Sequence, residues 1–299
     1  MKKIIIVLIT IYLCSIFLKK DVVNNEVPNN EGTFFNIMVN LKNDDETITL
    51  PLEEYIIGVV SAEMPASFEM EALKALATSA RTYAINRLEN GVINIENSSN
   101  TQNYQSNAEL YNKWQENFTK YYYKIRKAVY DTKGKIITYD NKPIKALYFS
   151  MSNGYTEDSE LVFNEKLPYL VSVSSPLENE TLNNFKYQKE FTKEEFCYLL
   201  NISCENIEIS DIEKSKTNHV LNIVINNHSF TGRKIRELLS LRSTDFDIIL
   251  NDKIVIITKG YGHDVGLSEY GSNLLAKNGY NYEDILKYYY QNTIIDSIN

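Results

Sequence analysis

The stretch VVSAEMP, residues 59–65, brings a single carboxylate to the end of an apolar segment. Glu63 comes after Val59 and Val60, and Pro65 follows it two positions later. A Glu beside apolar side chains is partly desolvated, which raises its pKa and suits it to act as a general acid near neutral pH. A solvated Glu at a helix end is the commoner arrangement, so this stretch alone leaves both interpretations open.

A polar stretch, SMSNGYTEDSE, occupies residues 150–160 directly after the predicted strand ALYFS. Hydroxyl and amide side chains crowd around Gly154 and could line a polar cleft, to which Glu157 or Asp158 would add a second carboxylate. Two carboxylates that flank the scissile bond are the usual equipment of a glycoside hydrolase. Taken alone, the stretch favours an exposed turn.

A glycine-rich stretch, KGYGHDVGLSEYG, occupies residues 259–271 and superficially resembles a dinucleotide-binding loop. Only 33 residues follow Gly266, and they are predicted to form two helices without the acidic strand end that such a fold needs. We therefore predict a tight loop that presents His263, Asp264, Ser268 and Tyr270. His263 is equally well explained as a buried structural side chain or as a site residue.

The charge balance argues against nucleic acid as a partner. The chain has 299 residues, 31 of them basic and 39 acidic, for a net charge of -8. The first twenty residues hold four Lys and no acid, so the remainder carries -12. Proteins that bind nucleic acids or anionic lipid surfaces by electrostatics need a basic face. Neither class of function fits an acidic body of ordinary globular composition, 43% hydrophobic.

The N-terminus reads MKKIIIVLITIYLCSIFLKK, an apolar run at residues 4–18 between two Lys pairs. The length suits the apolar core of a signal peptide, but no small-x-small cleavage site follows it. The flanking Lys side chains can lengthen a short membrane span, because their charged ends reach the membrane–water interface. We predict an uncleaved transmembrane anchor at 1–20, a polar linker at 21–32 and a catalytic domain at 33–299.

Three cysteines are present, and Cys14 lies in the predicted anchor. Cys197 and Cys204 remain, with six residues between them, so a local disulfide and two free thiols are both possible. The three His residues are scattered, and no Cys/His cluster has the spacing of a metal site.

The elements that position these residues follow from hydrophobic periodicity. Residues 52–60 predict a helix that Pro65 ends, because one face is apolar at i, i+3, i+4, i+7 and i+8. A second helix is predicted from an N-cap at Ser67 to a stop at Gly91. Further helices are predicted at 109–132, 233–241, 267–279 and 281–290, the last with Asn281 as N-cap. Strand pairs are predicted at 34–52, 135–150, 219–232 and 246–258. Strands and helices mix without regular alternation, so the expected fold class is α+β, in either one compact domain or two lobes.

Four ordered blocks carry a family resemblance: LEEYIIGVVSAEMPASFEMEALKALATSARTYAINR, SNGYTEDSELVF with LPYLVSVSSP, FTGRKIRELLSLRSTDF and GYGHDVGLSEYGSNLLAKNGYNYEDILKYYYQNT. Together they resemble the stage II sporulation protein D family and the amidase enhancers that share its domain. The resemblance runs from about residue 34 to the C-terminus.

The resemblance implies a lytic transglycosylase, anchored in the cell membrane with its body outside the cytoplasm, that cuts peptidoglycan glycan strands during engulfment in endospore formation. It also implies two partners, the amidase called stage II sporulation protein P and protein M. A glycan-binding activator of an amidase and a two-carboxylate hydrolase remain as alternatives, and no cofactor is expected.

The resemblance also assigns site residues. The catalytic Glu of the family's Glu-Met-Pro motif matches Glu63, and the Lys and Arg of the next helix match Lys74 and Arg81. The remaining residues expected to contact the glycan are Tyr83, Gln102, Asn153, Tyr155, His263 and Tyr270. Some relatives bind a metal through Cys and His in the loop after the second helix, but Glu96, Asn100 and Thr101 stand there in this chain. No metal is therefore expected.

The anchor gives the first testable prediction. Full-length protein should sediment with membranes and retain residues 1–20, because no cleavage site is visible. N-terminal sequencing of the membrane fraction checks this expectation, and a mature N-terminus near residue 21 would contradict it. A chain that starts at residue 33 is the matched control and should stay in the supernatant.

Overall fold

The computed structural model describes residues 37–43, 46–98, 101–176 and 185–298. The predicted anchor and linker lie outside these residues. Within the described part, no helix is both long and apolar enough to cross a membrane.

The described residues form the following elements. The helices are α1 (Leu52–Glu63), α2 (Met70–Ile85), α3 (Asn107–Trp114), α4 (Phe118–Asp131), α5 (Ser159–Phe163), α6 (Lys193–Leu200), α7 (Gly232–Leu238), α8 (Glu269–Lys277) and α9 (Tyr282–Tyr289), with a 3-10 turn at Gln115–Asn117. The strands are β1 (Met38–Asn43), β2 (Glu46–Pro51), β3 (Leu88–Glu89), β4 (Val92–Glu96), β5 (Lys135–Tyr139), β6 (Lys142–Pro143), β7 (Tyr148–Phe149), β8 (Lys186–Phe191), β9 (Ile209–Lys214), β10 (Val220–Ile225), β11 (His228–Thr231), β12 (Phe246–Leu250), β13 (Ile254–Lys259), β14 (Leu267–Ser268) and β15 (Ile294–Ser297). The fold is α+β, as predicted.

The first sheet has the strand order β2-β1-β4-β3, and helices α1, α2 and α4 pack on it. The predicted hairpin of β1 and β2 is confirmed, and β1 also pairs in parallel with β4. Helix α1 begins directly after Pro51 with Glu53 and Glu54 in its first turn, where acids favour the positive end of the helix dipole. Its predicted apolar face is buried, with Tyr55, Ile56, Val59 and Val60 at 0% exposure.

Two predictions for the helices are wrong. Helix α2 starts at Met70 after an extended Glu69, so Ser67 is not its N-cap, and it ends at Ile85 rather than near Gly91. Asn90 and Gly91 have φ of 51° and 80°, the conformation of a tight hairpin turn, and they join β3 to β4. The single helix expected at 109–132 is two helices, interrupted where Gln115 adopts φ 47°.

A second core joins the C-terminal helices to the middle of the chain. β5 pairs with β6 and with β15, and β7 pairs in parallel with β14. Helices α8 and α9 contribute Leu275, Ile285 and Leu286 to this core. Asn281 caps α9 through its side chain as predicted, since Oδ1 accepts the Asp284 N–H at 3.0 Å.

A third core is formed within residues 186–259. Strand β13 lies between β12 and β8, and β10 lies between β11 and β9, with α6 and α7 packed alongside. Both predicted strand pairs in this region are confirmed. Cys197 in the middle of α6 forms a disulfide with Cys204, which decides between the two states that the sequence left open.

Arg81 of α2 ties several elements together from a position with no solvent exposure. Its guanidinium makes a bidentate pair with Glu53 of α1, with Nη2 at 2.6 Å from Oε2 and Nε at 3.0 Å from Oε1. It also donates to the carbonyl of Val129 near the end of α4 at 3.1 Å and to that of Lys135, the first residue of β5, at 3.2 Å. The resemblance predicts that Arg81 binds substrate, but here its donors are engaged inside the protein.

Replacing Arg81 tests this structural role. Arg81→Met preserves the bulk but leaves Glu53 without its partner, so we expect the free energy of unfolding to fall by about 3–5 kcal/mol. Lys127→Met is the control, because it breaks an exposed pair with Asp131 and should cost less than about 1 kcal/mol. Denaturant unfolding of both variants measures the difference. Wild-type stability of Arg81→Met, combined with weakened glycan binding, would restore the substrate-binding role.

Candidate active site

Helix α1 places Glu63 in its last position. Met64 leaves the helical conformation, with φ -109° and ψ 138°, and Pro65 cannot continue the helix. Val59 and Val60, in the turn before this end, are fully buried. The Glu63 side chain is half-buried and follows this apolar segment. The predicted arrangement of a carboxylate on a helix end is therefore what the structure shows.

Asn103 holds the Glu63 carboxylate from the loop that precedes α3. Its backbone N–H and its Nδ2 both donate to Oε1 of Glu63, at 3.0 and 3.1 Å. The loop is closed on itself because the side chain of Asn97 accepts the N–H of Tyr104 at 2.8 Å. One carboxylate oxygen is thus fixed in position by two donors.

Gly58 allows this loop to approach α1. A Cβ at Gly58 would run into the ring of Tyr104 and lie 2.9 Å from the carbonyl oxygen of Gln105. The N–H of Gln105 in turn donates to the carbonyl of Gly58 at 3.3 Å. The absence of a side chain at position 58 therefore sets the distance between the loop and the helix that carries Glu63.

The electrostatic environment raises the pKa of Glu63. Burial raises the pKa of Glu63, and the hydrogen bonds from Asn103 and the charge of Lys113 offset part of that rise. Lys113 of α3 is held nearby, since its Nζ donates to the carbonyl of Ser61 at 3.1 Å and to Oε1 of Gln105 at 3.0 Å. A carboxyl group of this kind can donate a proton and take it back within one reaction.

Gln102, predicted as a site residue, is fully buried next to Asn103 and hydrogen-bonds three other residues. Its Oε1 accepts the hydroxyl of Tyr55 at 3.0 Å, and its Nε2 donates to the hydroxyl of Tyr148 at 3.0 Å and to the carbonyl of Ala80 at 3.2 Å. The charge of Glu63 raises the pKa of both tyrosines, although burial is the larger cause. Gln102 therefore supports the site from inside the protein.

Sequence reasoning missed Asn103, Lys113, Tyr148 and Glu269 as neighbours of Glu63. Glu269 begins α8 and is only 3% exposed, and the charge of Glu63 adds to the effect of burial in raising its pKa. Nothing in the local sequence distinguishes Glu269 from an ordinary acid in a first helical turn. Asn103 could have been found, because it directly follows the predicted Gln102.

Three other predicted residues, Lys74, Tyr83 and Tyr270, contact neighbouring side chains of the protein. Lys74 of α2 pairs with Glu71 at 2.9 Å and with Asp131 of α4 at 3.4 Å. The ring of Tyr83 is buried, and the guanidinium of Arg87 stacks on it at 3.6 Å from the centroid. Tyr270 packs edge-on against Phe68, with 5.0 Å between the ring centroids.

His263 is packed between the rings of Phe149 and Phe163, with centroid separations of 5.8 and 5.4 Å. Its Nδ1 accepts the N–H of Val265 at 3.2 Å. Burial lowers the pKa of His263 to about 3, so the ring is neutral at physiological pH. Of the two interpretations left open by the sequence, this geometry fits the structural one.

The other predicted polar residues lie in a second cluster. Asn153 donates to the carbonyl of Thr217 at 2.7 Å and to Oδ2 of Asp245 at 2.9 Å. Glu157 is 2% exposed and accepts hydrogen bonds from the hydroxyls of Ser215 and Thr217. This cluster joins the loop after β7 to the third core.

Asp158 and Tyr155 flank this second cluster. The carboxylate of Asp158 accepts the N–H of Ser172 at 2.7 Å, and Tyr155 is 51% exposed. Glu157 and Asp158, the second carboxylates of the alternative two-carboxylate hydrolase, are held by these partners in the second cluster, whereas burial and then the charge of Glu63 raise the pKa of Glu269. In the described residues, no group of three or more His, Cys, Asp and Glu side chains is arranged to hold a metal ion.

The family model described as SpoIID, stage II sporulation protein, matches residues 42–139, which include Glu63, Gln102 and Asn103. Stage II sporulation protein D of Bacillus subtilis (strain 168) is 43% identical over 256 residues, which cover 82% of this chain and 74% of that protein. The chain belongs to the stage II sporulation protein D family. The member from Bacillus amyloliquefaciens is 41% identical over 81% of this chain and 73% of its own length. An amidase enhancer of Bacillus subtilis (strain 168) is more distant, at 27% identity over 80% of this chain and 40% of that protein.

Gly58 gives a prediction for this family member. Ala is favoured over Gly inside a helix by about 1 kcal/mol, so Gly58→Ala would stabilise α1 if no neighbouring atom occupied the space of the new Cβ. The clash with Tyr104 and Gln105 should instead lower the free energy of unfolding by about 1–3 kcal/mol.

Thermal unfolding and Asn103 amide shifts in NMR spectra check this result, because the loop must move away from Glu63. Tyr104→Ala removes the ring and its packing on Tyr55, so Gly58→Ala should destabilise the Tyr104→Ala protein less than it destabilises wild type. A single variant as stable as wild type with an unshifted Asn103 amide would contradict the close approach.

Proposed function

We propose that this sporulation protein is a lytic transglycosylase that cleaves peptidoglycan glycan strands, with Glu63 as its acid and base. The observation that carries the proposal is the environment of Glu63. A half-buried carboxyl at a helix end has its pKa raised by burial while Asn103 holds one of its oxygens. Membership of the stage II sporulation protein D family supports a function in sporulation, and the raised pKa of Glu63 supports a role for this residue in proton transfer.

The proposed reaction needs one carboxyl group. Protonated Glu63 donates its proton to the glycosidic oxygen as the bond from that oxygen to C1 of the muramic acid breaks. The 6-hydroxyl oxygen of the same sugar then attacks C1, and its proton returns to the Glu63 carboxylate. A 1,6-anhydro ring and a free sugar hydroxyl are the products, so no water is consumed. An intramolecular hydroxyl has a large effective concentration, which favours this route over hydrolysis.

The setting of this activity is part of the same proposal. Residues 1–20 would anchor the protein in the cell membrane, with residues 33–299 outside the cytoplasm, and the substrate would be glycan strands freed of their stem peptides. The partners would be an amidase, stage II sporulation protein P, and protein M. An amidase would supply such strands, because it removes the peptides first.

Replacing Glu63 tests the proposal. Glu63→Gln keeps the shape of the side chain but cannot transfer a proton, so cleavage by residues 33–299 should fall at least about a hundredfold. Glu69→Gln changes an exposed Glu six positions away and is the matched control, with activity near wild type. Mass spectrometry of the products should find anhydro ends, which are lighter than reducing ends by one water.

Three outcomes would contradict the proposal. Products with reducing ends only would identify a hydrolase, and retained activity in Glu63→Gln would remove Glu63 from the mechanism. Absence of cleavage together with stimulation of an added amidase would favour the activator function. The similarity to an amidase enhancer is the observation that supports this second candidate.

A further inference from the structure

Two aromatic rings and two lysines meet where helix α3 is followed by helix α4. Lys113 and Trp114 end α3, and Lys120 and Tyr121 lie in the first turn of α4. The rings of Trp114 and Tyr121 pack edge-on, with 5.7 Å between their centroids. Nζ of Lys113 lies 5.9 Å from the centroid of Trp114, and Nζ of Lys120 lies 6.0 Å from that of Tyr121. These four residues are called the α3–α4 corner.

The corner is attached to the segment that carries Glu63. Nζ of Lys113 donates to the carbonyl of Ser61 at 3.1 Å, and Nζ of Lys124 in α4 donates to the carbonyl of Phe68. Ser61 and Phe68 come before and after Glu63 in the chain, so α3 and α4 contact this segment on both sides of the carboxyl group. The charge of Lys113 also acts on Glu63. A polymer whose scissile bond lies at Glu63 therefore has the corner as its neighbour.

The groups of the corner are available to a ligand. Lys113 and Lys120 are exposed, and Trp114 and Tyr121 are half-buried, so each ring keeps part of its surface in solvent. In the part of the chain that the structure describes, neither lysine forms an ion pair with a carboxylate. Lys113 uses two of its three N–H donors on the protein, which leaves one. Separations of about 6 Å are the outer limit of a cation–π contact, so both ammonium groups can turn toward an anion.

The surroundings of the corner are basic in an otherwise acidic protein. Residues 113–127 contain five basic side chains and one acid, Glu116, whereas the whole chain has 39 acidic against 31 basic residues. Aromatic rings beside ammonium groups suit a ligand that has both an apolar face and a carboxylate. The acidic remainder of the protein disfavours a dense polyanion such as nucleic acid.

We propose that the α3–α4 corner is a binding subsite for an N-acetylmuramic acid residue whose stem peptide has been removed. Trp114 and Tyr121 pack on the apolar face of the pyranose ring, and the lactyl carboxylate accepts hydrogen bonds from Lys113 and Lys120. In intact peptidoglycan this carboxylate is part of an amide and carries no charge, so the corner selects strands freed of peptide. The assignment rests on the proposed function for the identity of the substrate, but binding is measured without cleavage.

Trp114 is the single Trp of the chain, so its fluorescence reports on the corner directly. Full-length Glu63→Gln protein in neutral detergent micelles is titrated with peptide-free glycan strands and with chitin oligosaccharides, which lack the lactyl group. Both should shift the emission to shorter wavelength, because a sugar replaces water at the indole ring. At low salt the peptide-free strands should bind about fivefold more tightly, and about 1 M salt should remove the difference. Unchanged emission at concentrations that saturate binding in calorimetry would overturn the proposal.

Variants separate the charge from the rings. Lys120→Met should weaken binding of peptide-free strands about fivefold and leave chitin binding unchanged. Tyr121→Leu should weaken binding of both ligands about tenfold. Lys253→Met removes an exposed lysine of the third core, and Tyr123→Leu removes an exposed ring that points away from Tyr121 on α4, so both controls should bind like the parent protein.

Two results with these variants would overturn the subsite. Lys120→Met might weaken neither ligand, or it might weaken both by the same factor, and in either case the lysine does not recognise the carboxylate. Thermal unfolding verifies that Tyr121→Leu is folded, and Lys120→Met is an exposed substitution that does not depend on this check. In the cleavage assay of proteins that retain Glu63, Lys120→Met should raise KM and leave kcat unchanged, as expected for lost substrate binding.

The remaining outcomes distinguish the subsite from a membrane contact and from the proposed function. Aromatic and lysine side chains also occur at membrane surfaces. A Trp114 emission that responds to nanodiscs with anionic rather than zwitterionic lipid, and to no glycan, would overturn the subsite in favour of a lipid surface. A wild-type protein that cleaves no glycan would overturn the proposed function, whereas the pattern of binding described for Trp114, Lys120 and Tyr121 would still establish the subsite.

Discussion

The buried pair of Arg81 and Glu53 is the interaction on which the rest of the structure depends. It fixes the first turn of α1 against α2 and, through two backbone carbonyls, against the junction of α4 and β5. Glu63 lies ten residues further along α1, about 15 Å away at 1.5 Å per residue. A helix held at one end by a bidentate ion pair and at the other by Asn103 presents its final carboxyl in a defined place. Arg81 thus serves the site without contacting its reactants.

The parts of the fold that sequence predicted are those fixed by local rules. The apolar face of α1, the stop at Pro65 and the cap at Asn281 each depend on residues within a few positions of one another. The errors have local causes too. The turn at Asn90 and Gly91 was masked by the helical periodicity before it, and Gln115 is an unusual residue at positive φ, so no composition signal marks that helix break.

The candidate site shows a different limit. Glu63 was identified from the family motif and Gln102 from the wider resemblance, but the neighbours that set their chemistry come from distant segments. Glu269 directly follows β14, which pairs with β7, and no periodicity encodes that pairing. Glu157 was one of two candidates for a second carboxylate, and the hydroxyls of Ser215 and Thr217 hold it in another cluster. Residue type and charge identify the candidate site residues, whereas the topology of the fold determines which of them lie close together.

The position of β15 has a consequence for biosynthesis. β5 lies between β6 and β15. The hydroxyl of Thr138 in β5 donates to the carbonyl of Ile294 in β15, which comes 156 positions later in the chain. Contacts between segments so far apart form late, because a long loop must close first. A nascent chain that has emerged only through β5 contains Glu63 and Asn103 but lacks β14, α8 and Glu269. The environment of Glu63 therefore cannot be completed until most of the polypeptide has left the ribosome.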